Sequence, residues 1–140
     1  MDSNRSPVPS LVLDASTLIL ALIGLRPDAQ AWLGQVTSSE ARAAWPAHLY
    51  AEVAQVLVRL VRAGRADRVR ALDAYADVRR IRARVGAPRA MEAAIGVAFE
   101  RRLTVYDAAY VVLAEALDAP LVTADRRLAD ATDQAVLLPG

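Results

Sequence analysis

Four carboxylates stand where apolar neighbours make a carboxylate expensive. Asp14 ends the run Leu11-Val12-Leu13, and Asp125 follows Leu121-Val122-Thr123-Ala124. Glu52 flanks the stripe Leu49, Val53, Val56, Leu57 and Leu60. Asp107 opens the segment Ala108 to Ala114, which is apolar almost all the way round. An acid beside buried surface must be neutralised, paired or bound to a cation, because bare desolvation costs several kcal/mol or more. If the fold gathers these four, a hard divalent ion is the natural counter-charge, and the chemistry is metal-dependent. Taken singly, each has a plainer role. Asp14 and Asp125 fit helix N-caps, Thr104-x-x-Asp107 resembles a capping box, and Glu52 shares a helix face with His48 and Arg59. The other acids alternate with arginines on helix surfaces or sit in turns.

Composition removes several other chemistries. Cysteine is absent, which excludes disulfides, thiolate zinc sites and cysteine nucleophiles. A single histidine, His48, leaves a histidine-based triad or zinc cage without partners, and it is expected only to decorate the start of its helix. The 140 residues, 55% hydrophobic, suit one domain with a real core. No apolar run approaches the roughly 20 residues of a membrane span. Residues 1–9 are polar with two prolines, so they read as a loose tail rather than a secretion signal, and the cytoplasm is the expected location. The net charge of +1 hides an asymmetry. There is no lysine; twelve arginines and five acids lie between Arg59 and Arg102, against five arginines and eleven acids elsewhere. That pattern suits a polyanion held over an acidic pocket, and equally suits a solvated arginine surface.

The elements that must position the acids follow from periodicity and punctuation. Strands are predicted at Ser10–Leu13, Ala41–Trp45, Ile81–Val85, Leu121–Thr123 and Ala135–Leu138. Helices are predicted from about Ser16 to Leu22, from Pro27 through Val36, from Pro46 to Arg62, over Asp67–Arg80, Pro88–Arg102 and Thr104–Leu117, and at Asp125–Ala131. Val69, Leu72 and Ala76 mark the expected core face of the fourth helix, and Met91, Ile95 and Phe99 that of the fifth. Trp32, Trp45 and Phe99 are expected in the core. Strands alternating with helices imply an α/β fold, a mainly parallel sheet covered on both faces. Such sheets bind ligands beyond the carboxyl ends of their strands, where Asp14 and Asp125 lie.

These segments, taken together, resemble the PIN-domain ribonucleases, and among them the VapC-type toxins of toxin–antitoxin pairs. The resemblance is carried by Leu-Val-Leu-Asp14-Ala-Ser16-Thr17, by Pro46-x5-Glu52-Val-Ala-Gln-Val-Leu, by Tyr106-Asp107-Ala-Ala-Tyr-Val-Val-Leu-Ala and by Leu121-Val-Thr123-Ala-Asp125-x2-Leu. It spans the chain from Leu11 to Leu138, with one departure at Gln55, where the family often has Asn. It implies a three-layer αβα PIN domain over residues 10–140, cutting RNA phosphodiester bonds with one or two Mg²⁺ or Mn²⁺ ions. Asp14, Glu52, Asp107 and Asp125 would be the catalytic and metal-holding acids, with Glu52 or Asp107 orienting the attacking water. Ser16 and Thr123 would support them by hydrogen bonding. Arginines of the middle helices would grip flanking phosphates. A cognate antitoxin and a homodimer through the early helices, around Leu18–Leu22 and Trp32–Val36, are implied as partners.

Two other phosphoryl-transfer designs fit less well. A haloacid-dehalogenase-like phosphatase wants Asp-x-Asp after the first strand, where this chain has Asp14-Ala-Ser16, and both that class and response-regulator receivers use a lysine. A non-catalytic PIN-like module binding RNA or protein stays open as the alternative, although such modules typically lose one of the four acids. A purely structural α/β protein is the third reading.

Overall fold

In a computed structural model of the chain, which describes residues 7–139, five strands form one sheet in the order β3-β2-β1-β4-β5, every neighbouring pair parallel. The strands are β1 (Ser10–Leu13), β2 (Arg42–Trp45), β3 (Ala83–Val85), β4 (Leu121–Thr123) and β5 (Ala135–Leu137). The helices are α1 (Ala15–Leu22), α2 (Pro27–Thr37), α3 (Leu49–Arg62), α4 (Arg68–Arg80), α5 (Ala90–Arg101), α6 (Val105–Leu117) and α7 (Arg126–Ala129). The predicted three-layer α/β class and the order of its elements are what forms. For the loose tail predicted over residues 1–9, residues 1–6 lie outside the described residues, and Pro7 to Pro9 precede β1 outside any element. No helix among the described residues is long and apolar enough to cross a membrane.

The central strands are buried on both faces, so they read as continuous apolar runs rather than alternating ones. Leu11, Val12, Leu13, Leu121 and Val122 are all closed to solvent. Helix α6 lies across β1, β2 and β4 with α5 packed on it, while α1, touching β4, packs with α2 and α3. Strand β3 is one of the sheet's two edges, and its exposed Arg84, with Arg82 just before it, blunts that edge against pairing with another chain.

Two expected core faces are wrong. On α4, Val69 and Leu72 are each 70% exposed, and the buried face is Ala71, Ala74 and Val78. On α5, Met91 packs beside the buried cluster as expected, but Ile95 and Phe99 point outward, Phe99 at 83% exposure, and the fully buried residue is Ala94. The reason is size. Helices α5 and α6 meet through Ala94, Ala108 and Ala109, with Ala98 and Val97 beside them, and small side chains let the two backbones approach closely. A large residue on that face would hold them apart, so the bulky stripe is turned to the surface. Trp45 is buried as expected and Trp32 packs against the core, whereas Phe99 is not a core residue. In the early helices Leu18 is fully buried and Val36 nearly so, while Ile19, Leu20, Leu22, Trp32 and Leu33 pack against the core and stay partly exposed.

Candidate active site

Strand register brings the first and last acids together. In the parallel pair β1–β4, Leu13 lies opposite Val122, so Asp14 leaves its strand beside Thr123 and the turn carrying Asp125. Asp14 caps α1 by accepting from the Thr17 backbone N–H at 3.0 Å, and Asp125 caps α7 by accepting from those of Arg127 (2.9 Å) and Leu128 (3.4 Å). The capping roles open to these residues in the sequence are therefore real. They do not compete with a second role, because both caps sit at strand carboxyl ends beside one cavity.

That cavity, about 730 Å³, is lined by all four acids, Asp14, Glu52, Asp107 and Asp125, together with Ser16, His48, Gln55, Arg59, Tyr106 and Tyr110. Glu52 reaches it from the first turn of α3, and Asp107 from the first turn of α6, whose N-cap Thr104 accepts from the Asp107 N–H at 3.1 Å.

Asp14 is 6% exposed and surrounded by donors. Its Oδ1 accepts from Ser16 Oγ at 2.7 Å, and its Oδ2 accepts from the Thr123 hydroxyl. The direction of both bonds is forced. Ser16 Oγ accepts from the Ala124 N–H at 3.0 Å and Thr123 Oγ1 from the Asp125 N–H at 2.9 Å, so each hydroxyl turns its own proton toward the carboxylate. Thr17 Oγ1 lies 3.1 Å from the same carboxylate and 2.8 Å from the Val122 carbonyl, and its one proton serves the nearer acceptor. Burial pushes the Asp14 carboxyl above its ordinary pKa, against the pull of these donors.

Glu52 is held from the opposite side. Tyr110, buried on α6, donates its hydroxyl to Oε1 at 2.7 Å. His48 Nε2 sits 3.1 Å from the Tyr106 carbonyl and 3.4 Å from Glu52 Oε1. Both neighbours only accept, so Nε2 carries the proton. Burial lowers the His48 pKa, and its Nδ1 is buried without a partner, so the ring is neutral and its contact with Glu52 is not an ion pair. Glu52 and Asp107 are both raised above their ordinary values, first by burial and then by neighbouring carboxylates: Asp107 and Asp14 act on Glu52, and Asp125 and Asp14 on Asp107. Mutual repulsion is what closely placed carboxylates must show.

The family model of the PIN domain matches residues 11–134. This chain belongs to the PIN-domain family. Its PIN domain is 40% identical over 129 residues to the VapC ribonuclease Mb0985 of Mycobacterium bovis and to ribonuclease VapC9 of Mycobacterium tuberculosis, covering 86% of this chain and 89% of each relative. The crystal structure of PAE2754 from Pyrobaculum aerophilum matches it with a TM-score of 0.74 and 26% identity, over 94% of this chain and 91% of that one. A toxin–antitoxin complex from Klebsiella pneumoniae matches at a TM-score of 0.59 and 19% identity, over 91% of this chain and 96% of that one, a likeness of fold alone.

The residues of this PIN domain suit a hard cation in kind: the donors are carboxylate oxygens, and no cysteine competes. They do not form a finished cage. Among the described residues, no three acidic or histidine side chains are gathered to hold one ion. Three of the carboxylates are instead engaged by their own donors, Asp14 by hydroxyls, Glu52 by Tyr110 and Asp125 by the α7 amides. Mg²⁺ keeps several waters and takes one or two carboxylates directly, so it does not demand a closed cage. The fit is chemical and local.

Of the arginines between Arg59 and Arg102, Arg59 on α3 lines the acid cavity. Arg80, Arg82 and Arg84, with Arg42, line a separate cavity of about 1010 Å³ near the start of β1 and β2, at the other end of the sheet. The charge of Arg127, on α7, lowers the Asp107 carboxyl. Three functional neighbours escaped the sequence reading: Tyr110, Thr17 and the inward-turned His48. Only Tyr110 left a signal, a hydroxyl inside the otherwise apolar face of α6.

Proposed function

We propose that the protein is a divalent-metal-dependent endoribonuclease, with Asp14, Glu52, Asp107 and Asp125 as its working acids, and the toxin of a toxin–antitoxin pair. The observation that carries this reading is the convergence of four carboxylates from β1, α3, α6 and the β4–α7 turn on one open cavity. VapC ribonucleases at 40% identity support RNA as the substrate class. Asp14 and Asp107, with Glu52 and Asp125 around them, would hold Mg²⁺ or Mn²⁺. When bound, the ion supplies an activated water and offsets charge on the leaving oxygen.

The chain's own groups do the rest. Ser16 and Thr123 fix the Asp14 carboxylate, so that the lone pair left on Oδ2 keeps one direction. Tyr110 fixes Glu52, leaving one carboxylate oxygen to accept a proton from water attacking a phosphodiester. Arg59, which lines the cavity, and Arg127, whose charge reaches Asp107, would hold flanking phosphates. A cognate antitoxin and a second copy of the chain are the proposed protein partners, in the cytoplasm. The test is cleavage of RNA by the purified protein. Cutting with Mg²⁺ that stops with EDTA, and in the Asp14→Asn variant, is the expected result; cutting that survives both refutes the assignment.

A further inference from the structure

Nine large apolar side chains are exposed among the described residues, and Tyr106 is the one of them that lines the acid cavity. It is 58% exposed, yet it is held in place twice. Its carbonyl accepts from His48 Nε2 at 3.1 Å, and its ring meets the His48 ring edge-on, with centroids 5.3 Å apart at 73°. His48 is itself wedged against buried Tyr110, centroids 5.5 Å apart at 85°. The backbone at 106 is further fixed by the Thr104 cap at the start of α6. An open aromatic surface, immobilised beside the acids before anything binds, has already lost the freedom that binding would otherwise cost it.

The cavity also needs attraction of a kind its charges do not provide. Four acids and a single arginine line it, so a polyanion gains little there from electrostatics alone. Stacking on an aromatic face does not depend on phosphate charge and tolerates any base. Phe99, more exposed still, sits on α5 outside the cavity lining. We propose that Tyr106 is a stacking platform for a nucleobase of single-stranded RNA beside the acid cavity, with His48 as its buttress. This rests on the ribonuclease reading above.

The test is equilibrium binding by fluorescence anisotropy, with a labelled oligouridylate and an abasic ribose-phosphate chain of equal length, in EDTA and again in Ca²⁺. The wild type is expected to prefer the oligouridylate, and Tyr106→Ala to weaken that binding about tenfold. Binding of the abasic chain is expected to stay the same. Tyr106→Phe and Tyr106→Trp should bind as the wild type, which separates stacking from the hydroxyl. In RNA cleavage, Tyr106→Ala should raise KM far more than it lowers kcat. If Tyr106→Ala binds oligouridylate normally, or loses both probes alike, the platform is refuted while the ribonuclease reading stands. A wild type that binds neither probe in either condition and cuts no RNA refutes both.

Discussion

At the scale of single residues, the site is a set of acids held apart from their preferred ionisation. Asp14, Glu52 and Asp107 all have carboxyl pKa values raised by burial, and Glu52 and Asp107 also by neighbouring carboxylates. A raised value means that the native state binds protons more readily than the unfolded chain. Stability from these groups is therefore complete below their ordinary values and is lost as pH climbs through the raised ones. The metal-free protein should melt at a higher temperature as pH falls from neutrality toward the ordinary carboxylate range. Asp107→Asn should flatten that rise, and at neutral pH should lift the melting temperature by a few degrees, the scale of about 1 kcal/mol in a small domain. An unchanged or steeper pH dependence in the variant would show that Asp107 is not repelled by its neighbours. Tyr110→Phe removes the hydroxyl that steadies Glu52. A hydrogen bond to a charged group is worth about 1.5 kcal/mol or more, so kcat should fall about tenfold with KM little changed. A loss confined to thermal stability would make Tyr110 a packing residue only.

At the scale of elements, the sequence was most legible where burial leaves no choice. The apolar runs of β1 and β4 and the strand-ending acids lie where their patterns put them, because strands covered on both faces must be apolar throughout. It was least legible where the buried face is made of alanine. Ile95 and Phe99 have helical spacing and look like core, yet Ala94 and Ala98 form the contact, and spacing alone does not say which of two apolar faces turns inward. The two readings give opposite mutational results. Ala94→Leu should force α5 off α6 and cost about 1–3 kcal/mol in denaturant unfolding, whereas Phe99→Ala and Ile95→Ala should each stay within about 0.5 kcal/mol of the wild type. A large loss on Phe99→Ala would restore the stripe read from the sequence. The four acids were found from their neighbours in sequence, but the hydroxyl relay through Ser16 and Thr123 depends on the β1–β4 register, which no local pattern encodes.

At the scale of the whole molecule, charge and apolar surface are sorted by end and face. The acids gather at the carboxyl ends of β1 and β4, and arginines 42, 80, 82 and 84 line the groove at the other end of the sheet. Exposed apolar side chains open to a second copy include Val69 and Leu72 on α4 and Ile95 and Phe99 on α5. A dimer built on α5 should show twice the chain's 15.0 kDa in light scattering, and Phe99→Asp should return it to one. A variant that stays dimeric would place the interface elsewhere. The central claim, that Asp14, Glu52, Asp107 and Asp125 make one cation site, is tested most directly by the anomalous signal of crystals soaked in Mn²⁺. The expected map has its strongest peak among these four carboxylates and loses it in Asp14→Asn. A peak bound elsewhere, with none in this cavity, would contradict the account.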